Sequence, residues 1–99
     1  MVNRRVALVT GAGRGIGRRT AEVLAAQGYA VALNDLAEPT EALQAVRASG
    51  AEAVAAIGDV ASAAAIPDIA AAAKDAFGDI DVLVNNAGIS VIAAAEDIS

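Results

Sequence analysis

Thr10-Gly11-Ala12-Gly13-Arg14-Gly15-Ile16-Gly17 follows directly on the apolar run Val6-Ala7-Leu8-Val9 and sets four glycines at alternate positions. Upstream, Arg5 to Thr10 is a continuous run rich in β-branched residues, the pattern of a parallel strand buried on both faces. Downstream the period changes: Ile16, Thr20, Val23, Leu24 and Gln27 recur at helical spacing, and Gly28 suits the helix end. A strand that passes through glycines into a helix brings bare backbone N–H groups to a helix N-terminus, where the dipole favours an anion. The expected guest is a phosphate or pyrophosphate.

The rest of the chain repeats the strand-then-helix unit. Tyr29 to Leu33 reads as a second strand running into Asn34-Asp35, and Pro39-Thr40 opens a helix through Ser49 that Gly50 closes. Ala51 to Ile57 is a third, weaker strand ending at Gly58-Asp59. Ser62 is a candidate N-cap for the alanine-rich stretch that runs to Phe77 and stops at Gly78. Pro67 either kinks that helix or moves its start to about Ile66. Ile80 to Val84 is a fourth strand, ending in Asn85-Asn86-Ala87-Gly88, and residues 89–99 carry no assignment. This alternation predicts an α/β fold with right-handed crossovers and a partial parallel sheet of about four strands. In the doubly wound arrangement the strand order is 3-2-1-4 with flanking helices. Residues 1–99 read as one partial domain, with no linker and no second domain. The fourth strand is then a bare apolar edge, which invites self-association with another copy.

Composition sets limits on that picture. Of the 99 residues, 28 are alanine, which favours helix but buries little area, so the expected core is thin. Net charge is −5, which speaks against binding nucleic acid non-specifically. Five of the seven basic residues, Arg4, Arg5, Arg14, Arg18 and Arg19, fall within the first 20 positions, where there is no acid. They read either as a solvated basic helix face or as an attraction for an anion at the glycines. The absence of cysteine and histidine excludes disulfides, thiolate chemistry, histidine acid–base catalysis and the common zinc sites. No apolar run reaches the length of a membrane span or of a signal peptide, and a cytoplasmic setting is expected.

In an open parallel sheet, ligands bind beyond the carboxyl ends of the strands. All four strand ends carry chemically suggestive residues: Thr10 to Gly17, Asp35, Asp59, and Asn85 to Gly88. Asp35 lies 24 residues after Gly11. A carboxylate there can accept from both ribose hydroxyls of an adenosine and repels a 2′-phosphate, so NAD is expected ahead of NADP; Arg14 is the feature that would suit NADP. The fingerprint G-x-G-x-x-G does not occur, because position 16 is Ile16; the spacing is G-x-x-x-G-x-G.

Thr10-Gly-x-x-x-Gly-Ile-Gly17, Asp35, Asp59-Val60 and Asn85-Asn-Ala-Gly88 together resemble the short-chain dehydrogenase/reductase family over nearly the whole chain. The resemblance implies a Rossmann-like sheet and a set of cofactor-binding positions. Gly11, Gly15 and Gly17 would form the turn, with Ile16 facing the pyrophosphate and Arg14 flanking it. Asp35 would hold the adenosine ribose, while Asp59 would accept from the adenine amino group beside Val60. Asn86, Ala87 and Gly88 would line the ribose side, and Thr10 and Asn85 would brace the strand ends.

Members of that family move a proton with a Tyr-x-x-x-Lys pair that lies beyond Asn-Asn-Ala-Gly. Here the single tyrosine, Tyr29, has Leu33 four positions on, and the single lysine is Lys74. No catalytic residue and no metal ligand is therefore expected in this stretch, and the 99 residues alone are expected to be inactive. The implied function is the NAD(P)-binding portion of an oxidoreductase that interconverts secondary alcohols and ketones. The alternatives are a non-catalytic nucleotide-binding half-domain or engineered fragment, or an S-adenosylmethionine-dependent methyltransferase domain, which also places a glycine turn after its first strand. A P-loop is excluded because no Gly-Lys-Ser/Thr follows the glycines.

Overall fold

The run Val6-Ala7-Leu8-Val9-Thr10 is buried at every position, as a strand covered on both faces must be. In the computed structural model, which describes residues 4–86 and the backbone of 91–94, this strand, β1 (Val6–Thr10), is the centre of the sheet. The elements that follow are α1 (Gly15–Ala26), β2 (Ala30–Leu33), α2 (Thr40–Ala48), β3 (Ala53–Ala55), α3 (Ile66–Phe77), β4 (Val82–Asn85) and β5 (Val91–Ala94). The sheet order is β3-β2-β1-β4-β5. The β1–β2, β1–β4 and β2–β3 pairs are parallel, with Leu8 opposite both Ala32 and Leu83. The expected 3-2-1-4 parallel arrangement is thus present.

Side chains alternate between two cores. Val9, Val31, Leu33, Ala53 and Val84 meet α1 and α2 through Ala21, Ala25, Ala42, Leu43 and Val46. The opposite face carries Leu8, Ala32 and Ala56 against Ile69 and Ala73 of α3. Three of those five buried residues are alanine, so the layer under α3 is the thin one that the composition predicts. At the amino ends of the strands, Val6 N–H donates to Asp81 Oδ2 at 2.7 Å, and Arg4 pairs with Glu52 at 2.7 Å while its guanidinium lies over the Phe77 ring.

Two expectations, a cap at Ser62 and a bare fourth strand, need correction. The α-helix after β3 begins at Ile66, the later of the two starts expected, with Pro67 in its first turn, because proline needs no N–H partner there. Ser62 does not cap it; its N–H instead closes a turn on the Asp59 carbonyl at 2.9 Å. The second correction concerns the sheet edge. Val82–Asn85 is not bare: β5 pairs with it antiparallel, Val84 opposite Ile92 and Asn85 opposite Val91. Backbone donors and acceptors of β4 are thereby satisfied within the chain, which removes the reason given for self-association through that strand. Among the described residues, no helix is long and apolar enough to cross a membrane.

Candidate functional site at the carboxyl ends of the strands

The turn after β1 is shaped by three glycines for different reasons. Gly11 and Gly15 take φ of 60° and 62°, a region that side chains with a Cβ enter at a cost. Gly17 opens no such conformation, yet a Cβ on it would overlap the Gly11 carbonyl, so α1 packs directly on the turn that feeds it. The first turn of α1 has no acidic residue and no side-chain cap. Its leading N–H groups, at Gly15, Ile16 and Gly17, are therefore left to an outside acceptor or to water. Ile16 is 77% exposed at this helix start.

Asp35 follows the end of β2 and reaches back to the glycine turn. Its Oδ2 accepts the Gly13 N–H at 2.9 Å, and its Oδ1 accepts the Leu36 N–H at 2.8 Å. Each oxygen of a carboxylate has a further lone pair, so both can still accept a hydroxyl. One pocket of about 230 Å³ is walled by Gly11, Asn34, Asp35, Gly58, Asp59 and Val60. A second, of about 410 Å³, is walled by Gly13, Arg14, Asp35, Leu36, Glu38 and Glu41. Asp35 and Leu36 thus line both hollows at the end of the sheet.

The third and fourth strand ends complete the rim. Asp59 is exposed and its Oδ1 accepts the Ala61 N–H at 2.9 Å, which fixes the turn and leaves Oδ2 outward. Val60 packs against the α3-side core. Between β1 and β4, the Thr10 hydroxyl donates to Asn85 Oδ1 at 3.0 Å and accepts the Asn86 N–H at 2.9 Å. Thr10 and Asn85, which are also register partners, brace the strand ends as expected. Ala87 and Gly88 lie outside the described residues.

Of the anticipated site residues, Gly11, Asp35, Asp59 and Val60 share one pocket, and Arg14 lines its neighbour. The five arginines do not act together. Arg18 and Arg19 are tied to Glu22, at 3.2 and 3.6 Å, and Arg4 and Arg5 precede β1 at the far end of the sheet. Arg14 lines the larger hollow itself, and Arg18 faces Glu41 of its wall at 4.0 Å. Tyr29 packs on the core at the start of β2, and Lys74 is exposed on α3, both remote from the strand ends that form the rim.

Two residues were missed by sequence reasoning. Asn34 is 1% exposed, and its Nδ2 donates to the Ala56 carbonyl at 2.7 Å and the Gly58 carbonyl at 3.1 Å. Its backbone accepts from Ala12 and donates to Val9, so one residue ties the ends of all three strands on that side. An amide next to a carboxylate at a buried strand end was the available signal. The other is Gly13, which the G-x-x-x-G-x-G spacing leaves without a role.

A 3-2-1-4 parallel sheet with a glycine turn, an uncapped helix start and a carboxylate at the end of its second strand defines a Rossmann-type nucleotide-binding fold. The chain belongs to the short-chain dehydrogenase family, whose model matches residues 5–99. It is 53% identical over 87 residues to the short-chain reductase protein NovJ of Streptomyces niveus, covering 86% of this chain and 33% of that one. Its fold matches the crystal structure of 3-oxoacyl-[acyl-carrier protein] reductase from Brucella melitensis in complex with NAD, with a TM-score of 0.83 at 39% identity, over 90% of this chain and 35% of that one. A variant of the actinorhodin polyketide ketoreductase with NADPH matches at a TM-score of 0.82 and 39% identity, over 90% and 36% of the two chains. The chain spans 33 to 40% of the length of the curated relatives it matches.

The residues present suit a dinucleotide. Gly11 and Gly58 leave room beside the apolar Val60 for a flat ring, the Asp35 carboxylate offers free acceptor sites, and the uncapped N–H groups of α1 offer donors to an anion.

Proposed function

We propose that this chain is the cofactor-binding portion of an NAD-dependent short-chain oxidoreductase that interconverts a secondary alcohol and a ketone. The observation that carries the choice of NAD is Asp35, whose two oxygens are held by the Gly13 and Leu36 N–H groups so that its charge faces the cleft. A ribose bearing free 2′- and 3′-hydroxyls donates to it, whereas a 2′-phosphate meets its charge; Arg14 lines the same hollow as Glu38 and Glu41, so the choice rests on the Asp35 carboxylate itself. Relatives of similar fold hold NAD in one case and NADPH in another, so the assignment rests on these side chains.

In this reading Gly11, Gly15 and Gly17 shape the turn, and the Ile16 N–H and its neighbours donate to the pyrophosphate oxygens, with Arg14 beside them. Asp59 takes the adenine amino group, Val60 covers the base, and Asn86, Ala87 and Gly88 line the ribose side of the cofactor. The bound nicotinamide supplies hydride chemistry. The residues of this chain bind and orient, and the proton is moved by a Tyr-x-x-x-Lys pair that does not occur within these 99 residues. The setting proposed is the cytoplasm.

Thermal melts with NAD, NADP and S-adenosylmethionine test the reading. NAD is expected to raise the melting temperature most, since a ligand at 100-fold its Kd stabilises by about 2.7 kcal/mol. A larger rise with S-adenosylmethionine would instead support the methyltransferase alternative.

A further inference from the structure

Gly13 does not need to be glycine for its backbone: unlike Gly11 and Gly15, it has no positive φ. What excludes a side chain is Asp35. A Cβ at position 13 would stand 2.5 Å from Asp35 Oδ2 and 3.3 Å from its Cγ, whereas the nearest other atom, Pro39 Cβ, would be in ordinary contact at 3.5 Å. The same Oδ2 receives the Gly13 N–H at 2.9 Å. A methyl group here would therefore push the carboxylate off the turn rather than move the backbone.

We propose that Gly13 is a positioning residue for cofactor selectivity: its missing side chain lets the Asp35 carboxylate dock on the glycine turn, and this docking fixes the charge that favours a ribose diol over a 2′-phosphate. The inference rests on the reading of Asp35 as the ribose acceptor and adds a coupling between the turn and that acceptor. With Oδ1 held by Leu36 and Oδ2 by Gly13, the carboxylate cannot swing aside to admit a like charge. Released from Gly13, it keeps only the bond to the next residue, and its position relative to the pyrophosphate-binding turn is no longer set.

The test is a double-mutant cycle on the full chain, with NAD and NADP titrated calorimetrically into wild type, Gly13→Ala, Asp35→Ala and the double variant. Gly13→Ala is expected to weaken NAD about tenfold, the scale of one charge-assisted hydrogen bond. NADP should change less, so the preference narrows. In the Asp35→Ala background the same substitution should have no further effect, because there is no carboxylate left to displace. Equal losses in both backgrounds, or no loss in either, would overturn the coupling while leaving NAD binding intact. A wild-type chain that takes up neither nucleotide would overturn the cofactor reading and the coupling with it. A ligand-free readout stands beside these: the Gly13 amide proton is expected to move upfield in Asp35→Ala, and an unmoved resonance would contradict the docking.

Discussion

At the scale of single residues, the site is held by groups whose partners are backbone atoms. Asn34 is the clearest case, because its side-chain amide serves two carbonyls on the β3 side while its own backbone extends the β1–β2 ladder. Asn34→Ala leaves the buried Ala56 carbonyl and the half-buried Gly58 carbonyl without that donor, and a loss of about 2 kcal/mol is expected in urea unfolding. The glycines separate in the same way. Gly15→Ala meets open space and only an unfavourable φ, so about 1 kcal/mol is expected. Gly17→Ala drives a methyl group into the Gly11 carbonyl and should cost about 3 kcal/mol, with loss of nucleotide binding in the same calorimetric assay. Asp35, Asp59 and the turn glycines were legible in the sequence because each is a residue type with few structural uses at a strand end. Asn34 and Gly13 were not, since their importance lies in what approaches them from 22 residues away, and one-dimensional spacing carries no distance of that kind.

At the scale of elements, periodicity placed the four parallel strands and three helices seen among the described residues, and missed where neighbours rather than composition decide. Alanine-rich sequence made the start of α3 ambiguous between Ser62 and Ile66, and Pro67 decides it by occupying the first turn. Val91–Ala94 lacked a signal because a four-residue strand with two alanines has little propensity of its own; its pairing with β4 supplies the reason for it. Ile92→Pro puts a residue with a fixed φ and no N–H into β5 and should loosen the pair by about 1 kcal/mol. Hydrogen exchange is then expected to quicken several-fold at the β4 amides, with light scattering showing association of the exposed edge. Unchanged exchange at Val82–Asn85 would mean that β5 does not protect that strand.

At the scale of the whole molecule, a small α/β unit with two unequal cores gathers Asp35, Asp59, Arg14 and the turn glycines at one end, among the described residues. The amino ends of the strands are closed by Arg4, Glu52, Phe77 and Asp81, whereas the carboxyl ends open into two hollows that Asp35 lines in common. That polarity follows from parallel connections alone, since every βα turn must emerge on the same side. A chain organised this way should bind its nucleotide as a folded unit, with the selectivity set at Asp35. The most direct measurement is a paired calorimetric titration of NAD and NADP into the chain. Saturable binding of NAD, tighter than that of NADP, with the difference lost in Asp35→Ala, is the predicted result; NADP binding as tightly as NAD, or no uptake of either, would contradict it.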